Sequence, residues 1–254
     1  MSIARLKLRS ADRAALLPFY ERAFDALALA DGCRLGEERI EIAPAADPRR
    51  DAFLANETGF QHFAIVVADL GLAYARLCAV AGWRPISLAG PVRLPEASGG
   101  ATAFKFRDPE DHPLELLQFA PDAVPAFWRA RFDAEPRRVF HGIDHSAITV
   151  SDIEASARFW ASAGFRIGRR RWNRGGEQAQ LDGFGDGAGA QVEIVSVSPL
   201  SDGRPGVELL GYRTPPTVMR ASADGSVAAT AVVIEGAATN GRDPDGHRVE
   251  FYQP

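Results

Sequence analysis

Histidines and glutamates recur at fixed positions in two repeated segments of this 254-residue chain. His62 and His145 each begin the pattern His-x-Ala-Ile-x-Val-x-Asp, and Glu115 and Glu250 each end the pattern Asp-Pro-x-x-His-x-x-Glu. Because both patterns occur twice and in the same order, the sequence indicates an internal repeat. Imidazole nitrogens and carboxylate oxygens are common ligands of divalent metals, so the repeated residues are candidates for a metal site.

The repeated patterns fall on the elements of β-α-β-β-β modules. Alternating residues from Phe60 to Ala68 predict a strand on which His62 and Ala64 share one face, and Asp69 is placed to cap the helix that follows, Leu70 to Val80. Three further strands are predicted around Pro85 to Leu88, Ala101 to Phe106 and Leu114 to Phe119. Together these elements make one complete module.

A later module repeats this order. Ile143 to Val150 predicts its first strand, Ser151 and Asp152 a helix cap, and Gly164 the end of the helix. Its later strands are predicted near Arg166 to Trp172, Glu177 to Gly183 and Ala190 to Ser196. Incomplete modules precede and follow these two, and the last is expected to begin with the strand Val207 to Tyr212. Four modules of this kind predict an α+β fold.

The predicted modules divide the chain into two halves. Residues 1–120 are expected to form an N-terminal domain from two modules, and residues 141–254 a C-terminal domain from the other two. Residues 121–140 contain several prolines and alternating charges, which is typical of a linker.

The histidine segments and the Asp-Pro turns resemble those of the vicinal oxygen chelate superfamily, which includes glyoxalase I, type I extradiol dioxygenases and bleomycin-resistance proteins. The resemblance covers essentially the whole chain. It implies paired βαβββ modules in two open barrel-like domains, each curved around a cleft. In that superfamily the cleft commonly holds a divalent metal, bound by the first and last strands of the paired modules.

For the C-terminal pair of modules, the resemblance implies four metal ligands: His145, Glu193, Glu208 and Glu250. Glu208 is preferred to Val207 at its position, because a carboxylate directed at the outer layer of a barrel would be costly. Glu193 is expected as a fourth ligand or as a general base. Tyr212 shares the inward face of Glu208, where it is either a hydrogen-bond donor to a bound oxyanion or part of the core.

For the N-terminal pair, the equivalent positions are Arg5, Glu41, His62 and Glu115. A guanidinium has no lone pair with which to ligate a cation. Arg5 is therefore expected to pair with Glu41 or Glu115, and this half to be structural. Whether the cleft of His62 and Glu115 is also functional stays open.

The resemblance and the ligand set together predict a metal-dependent enzyme of the glyoxalase/dioxygenase-like type, a lyase, an isomerase or a dioxygenase. A divalent Fe, Mn, Zn or Mg ion would act as a Lewis acid on a small oxygen-rich substrate in the C-terminal cleft. The dioxygenases would have a second histidine in place of Glu208, which argues against their chemistry here. The alternative is a metal-free protein of the bleomycin-resistance type, which sequesters a ligand in an apolar cleft.

The composition restricts the partners. A net charge of −4 without a long basic block gives no electrostatic reason to expect nucleic acid. The sequence has no apolar run long enough to span a bilayer and no signal-peptide pattern, and Cys33 and Cys78 are isolated. We therefore expect a cytoplasmic protein without a membrane partner. The resemblance implies that the protein could be a homodimer.

Overall fold

Two open β-sheets carry the fold. The structure is a computed structural model that describes residues 2–185, 189–200, 205–220, 222–236 and 240–253. The first module consists of β1 (Ser2–Ser10), α1 (Arg13–Phe24), β2 (Leu27–Leu29), β3 (Gly32–Leu35) and β4 (Glu38–Pro44). The second consists of β5 (Gln61–Val67), α2 (Leu70–Cys78), β6 (Arg84–Pro85), β7 (Val92–Arg93), β8 (Thr102–Arg107) and β9 (Pro113–Gln118), with a 3₁₀ turn at Glu96–Ser98.

A short helix, α3 (Ala126–Ala134), connects the halves. The third module consists of β10 (Phe140–Thr149), α4 (Ile153–Ser162), β11 (Phe165–Gly175), α5 (Gly176–Leu181), β12 (Ala190–Pro199) and β13 (Gly206–Thr214). The fourth contains β14 (Ala231–Glu235), β15 (Gly241–Arg242) and β16 (Arg248–Tyr252). Among the described residues, no helix has the length and apolar composition needed to cross a membrane.

Each sheet combines one module from the first half of the chain with one from the second. The seven-stranded sheet has the order β15-β16-β14-β1-β4-β3-β2, which joins the fourth module to the first. The nine-stranded sheet has the order β11-β12-β13-β10-β5-β9-β8-β6, with β7 beside β8, which joins the third module to the second. Neither order closes on itself, so the expected α+β fold of open sheets built from βαβββ modules is confirmed.

The expected pairing of modules within each half is wrong. The centre of the nine-stranded sheet is the antiparallel pair β5–β10, whose strands lie on either side of the predicted linker. The predicted boundaries of the N-terminal domain (1–120), the linker (121–140) and the C-terminal domain (141–254) stay a prediction. The two halves do not, however, form separate sheets.

Strand β13 ends the third module instead of beginning the fourth. It pairs antiparallel with β12 and parallel with β10. In the second module β9 makes the equivalent pairs, antiparallel with β8 and parallel with β5. The predicted strand Val207 to Tyr212 is thus the last strand of the third module, and this shift changes which glutamate stands at each expected ligand position.

Repeated aspartates fix the ends of the elements. Asp69 and Asp152 accept hydrogen bonds from the third backbone N–H group after them, at 3.0 Å in both cases, which confirms the predicted helix caps. In the Asp-Pro turns, Oδ1 of Asp108 and of Asp243 accepts the backbone N–H groups two and four residues further on. These turns lead directly into β9 and β16 and so position the glutamates on those strands.

Both faces of β5 are covered. Phe63, Ile65 and Val67 belong to the main apolar core, which also contains residues of α1, α2 and α4. Ala64 belongs to a smaller cluster on the other face, and His62 lines a cavity there. The predicted alternation along this strand is therefore confirmed, and it directs the histidine away from the core.

Candidate metal centre

Strand pairing brings His62 and His145 to one face of the nine-stranded sheet. In the antiparallel pair β5–β10, His62 lies opposite Ala147 and His145 opposite Ala64. Directly opposed residues share a face, as do residues two apart on one strand. The two imidazole rings are buried, and their centroids lie 6.0 Å apart.

Glutamates from the last strands of the same two modules complete this face. Glu115 lies opposite Ala64 in the parallel pair β5–β9, and Glu208 lies opposite Ala147 in the pair β10–β13. Each glutamate therefore stands beside the residue two positions after the histidine of its own module. The repeat in the sequence is thus a repeat of candidate ligand positions.

Three ligand atoms converge at this face. Oε2 of Glu115 lies 3.0 Å from Nε2 of His62 and 3.9 Å from Nε2 of His145. One ligand atom of each residue lies within 4.8 Å of the other two. Since two atoms bound to one ion at about 2.1 Å are at most about 4.2 Å apart, small side-chain adjustments suffice to close the group around an ion.

Glu208 lies beside this group and is held by an arginine. Its Oε1 and Oε2 lie 2.9 and 3.2 Å from Nη2 of Arg171, and its Oε2 lies 3.6 Å from Nε2 of His145. Burial raises the pKa of Glu208, but the charges of His145 and Arg171 outweigh burial and lower the pKa below its usual value. Glu208 is therefore an ionised carboxylate at the edge of the site.

His145 carries a positive charge between the carboxylates. Burial lowers its pKa, but the charge of Glu208, the hydrogen bond and charge of Asp144 and the charge of Glu115 together raise the pKa to about 9. Nδ1 of His145 lies 3.0 Å from Oδ2 of Asp144, whose Oδ1 accepts a hydrogen bond from the indole of Trp128 at 2.6 Å. Asp144 thus orients the ring so that Nε2 faces the two glutamates.

His62 and Glu115 have the protonation states of metal ligands. Burial and the charge of Lys105 lower the pKa of His62, which keeps its imidazole neutral. Burial opposes the ionisation of Glu115, but the hydrogen bond from His62 and the charge of Lys105 hold the pKa of Glu115 at about 2. An ionised carboxylate binds a metal directly, and a neutral imidazole binds it through Nε2 once its proton lies on Nδ1.

This donor set fits a divalent cation. Two histidines and one carboxylate with open positions are typical of non-haem Fe²⁺ sites, and the same ligand set occurs in catalytic zinc sites. The imidazolium of His145 supplies the positive charge that the buried carboxylates require, and a metal ion at the same place would replace that proton. The sequence argued against dioxygenase chemistry because it placed Glu208 where a dioxygenase has its second histidine. In the structure His62 supplies that second histidine, so the argument no longer holds.

The site opens into a cavity of about 320 Å³. The converging His62, Glu115 and His145 lie in its polar wall, together with Glu208 and Arg171. Its apolar wall includes Leu94, Leu117, Phe119, Leu181, Val192 and Leu210. This volume lies at the lower end of the range for small-molecule pockets, so the cavity suits a small amphipathic molecule.

Of the four predicted metal ligands, the structure brings only His145 and Glu208 together. Glu193 lies on β12, where its carboxylate pairs with Arg170 at 3.0 Å in a pocket on the other face of the sheet, beside the start of α4. Glu250 lies on β16 of the seven-stranded sheet and pairs with Lys7 at 2.9 Å. Both assignments depended on the wrong pairing of modules, and we correct them to His62 and Glu115.

Tyr212 lines the cavity with Glu208, as its predicted face requires. Its hydroxyl donates a hydrogen bond to Oδ2 of Asp182 at 2.9 Å. Burial and the charge of Asp182 raise the pKa of Tyr212 well above its usual value. The hydroxyl proton is therefore engaged by Asp182 and does not face a bound oxyanion.

The equivalent positions of the seven-stranded sheet carry no histidine. In the pairs β1–β4 and β14–β16, the register puts Arg5 and Ala231 where the other sheet has its histidines. The glutamates at the remaining positions, Glu41 and Glu250, form ion pairs with Arg5 and Lys7 at 2.6 to 3.3 Å. The predicted pair of Arg5 with Glu41 is confirmed, and ion pairs occupy this cleft.

Three contributors to the site were not predicted from the sequence: Lys105, Asp144 and Arg171. Asp144 directly precedes a histidine, and Arg171 lies in the short basic run of residues 169–171, which carries no motif of a binding site. The available signal was the identical place of His62 and His145 in the two repeated segments. Pairing those two segments would have identified the modules that share the site.

Similarity to known proteins is found at the level of fold. The chain matches no protein-family description and no curated protein sequence. Among solved structures, it is similar to a glyoxalase I mutant from Zea mays, with 15% identity and a TM-score of 0.62 over 99% of this chain and 92% of that one. It is also similar to glyoxalase I from Zea mays, with 17% identity and a TM-score of 0.55 over 83% of this chain and 67% of that one. These likenesses confirm the fold that the resemblance to the vicinal oxygen chelate superfamily implied.

The elevated pKa of His145 gives a direct test of the site's electrostatics. Glu208→Gln removes the largest favourable charge beside the imidazolium, so we expect the pKa of His145 to fall from about 9 by at least about one unit. Ring-nitrogen NMR of the metal-free protein across a pH series measures this change. The matched control is Glu193→Gln, because Glu193 lies on the opposite face of the sheet and its loss should leave the pKa of His145 unchanged. Equal shifts of the His145 pKa in both variants would contradict the geometry.

Proposed function

We propose that this protein is a divalent-metal-dependent enzyme that acts on a small oxygen-rich molecule in the cavity of the nine-stranded sheet. The observation that carries the proposal is the convergence of His62, Glu115 and His145, whose ligand atoms lie within 4.8 Å of one another. The three residues come from two modules that contribute equivalent positions, and the cavity beside them has room for a substrate. The similarity in fold to glyoxalase I supports the same type of site.

A divalent ion held by these three residues would act as a Lewis acid that polarises a substrate carbonyl or hydroxyl oxygen. Two vicinal oxygens of a substrate would suit the coordination positions of the ion that the three residues leave open. Lys105 and Arg171 keep Glu115 and Glu208 ionised by their positive charges. The apolar lining of the cavity excludes water from the hydrocarbon part of the substrate.

Glu208 is our candidate general base, in place of Glu193. It is half-buried and ionised, and its Oε2 lies 3.6 Å from Nε2 of His145, next to the position of the reacting oxygens. Arg171 holds this carboxylate beside the three ligands instead of among them. Glu208 can therefore accept a proton from carbon or oxygen of the substrate, which is the step that isomerases and lyases of this type require.

A metal-free ligand-binding protein is the second candidate. One observation favours it: Arg171 neutralises Glu208, and protonated His145 lies between Glu208 and Glu115, so the buried carboxylates have opposite charges beside them without an ion. In that case the cavity would sequester a small molecule through its apolar wall.

Metal content separates the two candidates. We expect the protein, purified without a histidine tag and incubated with Mn²⁺, Fe²⁺ or Zn²⁺, to hold about one ion per chain by elemental analysis. His62→Ala, Glu115→Ala and His145→Ala each remove a ligand and should lower the occupancy about tenfold or more.

The control for this experiment is Glu250→Ala, which changes a glutamate at the equivalent place in the other sheet. It should keep the ion. Absence of stoichiometric metal under all three conditions would reject the enzyme proposal in favour of the ligand-binding protein.

The place of Arg171 predicts its effect on metal affinity. Arg171→Met leaves the half-buried Glu208 without its cation. The unpaired carboxylate is then attracted to the ion, so Mn²⁺ should bind about tenfold more tightly. Competition with a coloured chelator measures the affinity. The control is Arg170→Met, because the Arg170 side chain pairs with Glu154 and Glu193 on the other face of the sheet. An unchanged or weaker Mn²⁺ affinity in Arg171→Met would show that Glu208 does not compete for the ion.

A further inference from the structure

In the described part of the chain, the charged side chains that line the cavity are paired, with one exception. Nζ of Lys105 donates to Oδ1 of Asp182 at 2.6 Å. Nη2 of Arg171 donates to Oε1 of Glu208 at 2.9 Å, and the charges around the metal site compensate one another. Arg169 also lines the cavity, but its guanidinium makes no ion pair or hydrogen bond with any described residue. The cavity therefore contains one cation without a partner.

A β-bulge directs Arg169 to the face of the sheet that carries the cavity. Ile167 and Arg170 are three residues apart on β11, yet their partners on β12 are only two residues apart. The extra residue shifts the alternation of β11 by one position. Phe165, before the bulge, packs in the main core on the outer face, whereas Arg169 and Arg171 both line the cavity. Without the bulge, Arg169 would share the face of Phe165.

Arg169 lies at the mouth of the cavity. The residues that converge on the metal site are buried. Of the described residues that line the cavity, three are exposed: Gly99, Ala123 and Arg169. A Cβ atom at Gly99 would meet no other atom within 4 Å, so the space beside it is open. Only Arg169 carries a charge among these three, and its guanidinium is accessible to a bound molecule.

We propose that Arg169 is a substrate subsite for an anionic group, a carboxylate or a phosphate. The subsite rests on the metal site proposed above, because the oxygens of the substrate must lie on the ion for its other end to reach the mouth. A guanidinium presents a planar fork of donors that matches either anion. The substrate class is then a small molecule with two vicinal oxygens at one end and an anionic group at the other.

The charge of the ion favours the same class of substrate. A divalent ion that takes the place of the proton on His145 adds one positive charge to the cavity. An anionic substrate compensates this charge, and Arg169 at the mouth attracts such a molecule before it reaches the ion. The subsite therefore acts on both the affinity and the rate of binding.

Matched alkyl hydroxamates test the subsite, because a hydroxamate chelates a divalent ion through two vicinal oxygens whatever its chain ends in. Three series of equal chain lengths, ending in a carboxylate, a phosphonate and a neutral primary amide, are titrated by calorimetry into the Mn²⁺-loaded protein. At the length that reaches Arg169, we expect the anionic compounds to bind about fivefold more tightly than the amide, and added salt should reduce this preference. The anion with the larger gain identifies the group that the subsite recognises.

Two variants locate the preference. Arg169→Gln removes the guanidinium and should reduce the preference for the anionic compounds to less than about twofold. The matched control is Arg166→Gln, which removes the same charge from an exposed arginine on β11 that does not line the cavity. It should keep the preference. Both variants should bind the amide series as tightly as the unaltered protein does, which shows that the fold and the metal site are intact.

The outcomes distinguish the subsite from the metal site. Equal affinity of the anionic and amide compounds at every length would overturn the subsite and leave the metal site standing. A preference that Arg169→Gln leaves unchanged, or that both variants reduce alike, would also overturn the subsite alone. Binding of no hydroxamate to the Mn²⁺-treated protein, the amide series included, would overturn the proposed function and the subsite with it.

Discussion

The structure depends on the compensation of negative charge on one face of four adjacent strands, β13-β10-β5-β9. Both Glu115, which is buried, and Glu208, which is half-buried, are ionised, and an unpaired buried charge costs several kcal/mol. The protein surrounds them with the imidazolium of His145 and the cations Lys105 and Arg171. Such an arrangement stabilises the fold only weakly compared with apolar packing. Because the cluster lines a cavity, we infer that it serves binding and catalysis more than stability.

The β5–β10 pair is the element that assembles this charge cluster. It joins two modules that are distant in the sequence, and each supplies one histidine and one glutamate at the same register. The pair β1–β14 has the same arrangement in the other sheet, yet Arg5 and Ala231 replace the histidines there. The two sheets thus share one framework, and side chains at equivalent positions decide that one cleft is suited to a metal and the other to ion pairs.

Much of the fold was predictable because its signals are local. The strands around His62 and His145, the caps at Asp69 and Asp152 and the repeated Asp-Pro turns follow from alternation, capping and turn chemistry within a few residues. The partner of each module is decided by contacts between distant segments, about which local patterns say nothing. The strand Val207 to Tyr212 of the third module was therefore assigned to the fourth module. As a result Glu193 and Glu250, instead of Glu115 and His62, were predicted as ligands. Strand parity places His145 and Glu208 on one face, where they lie 3.6 Å apart, and their predicted role as metal ligands stays a prediction.

The most direct test of the account is the position of a bound ion. We would collect anomalous scattering data from a crystal grown with Mn²⁺, because the anomalous signal locates the ion independently of the atoms around it. The account predicts one strong peak between Nε2 of His62, Oε2 of Glu115 and Nε2 of His145, with none beside Glu41 and Glu250. A peak only in the cleft of the seven-stranded sheet, or no peak in a crystal saturated with Mn²⁺, would contradict it.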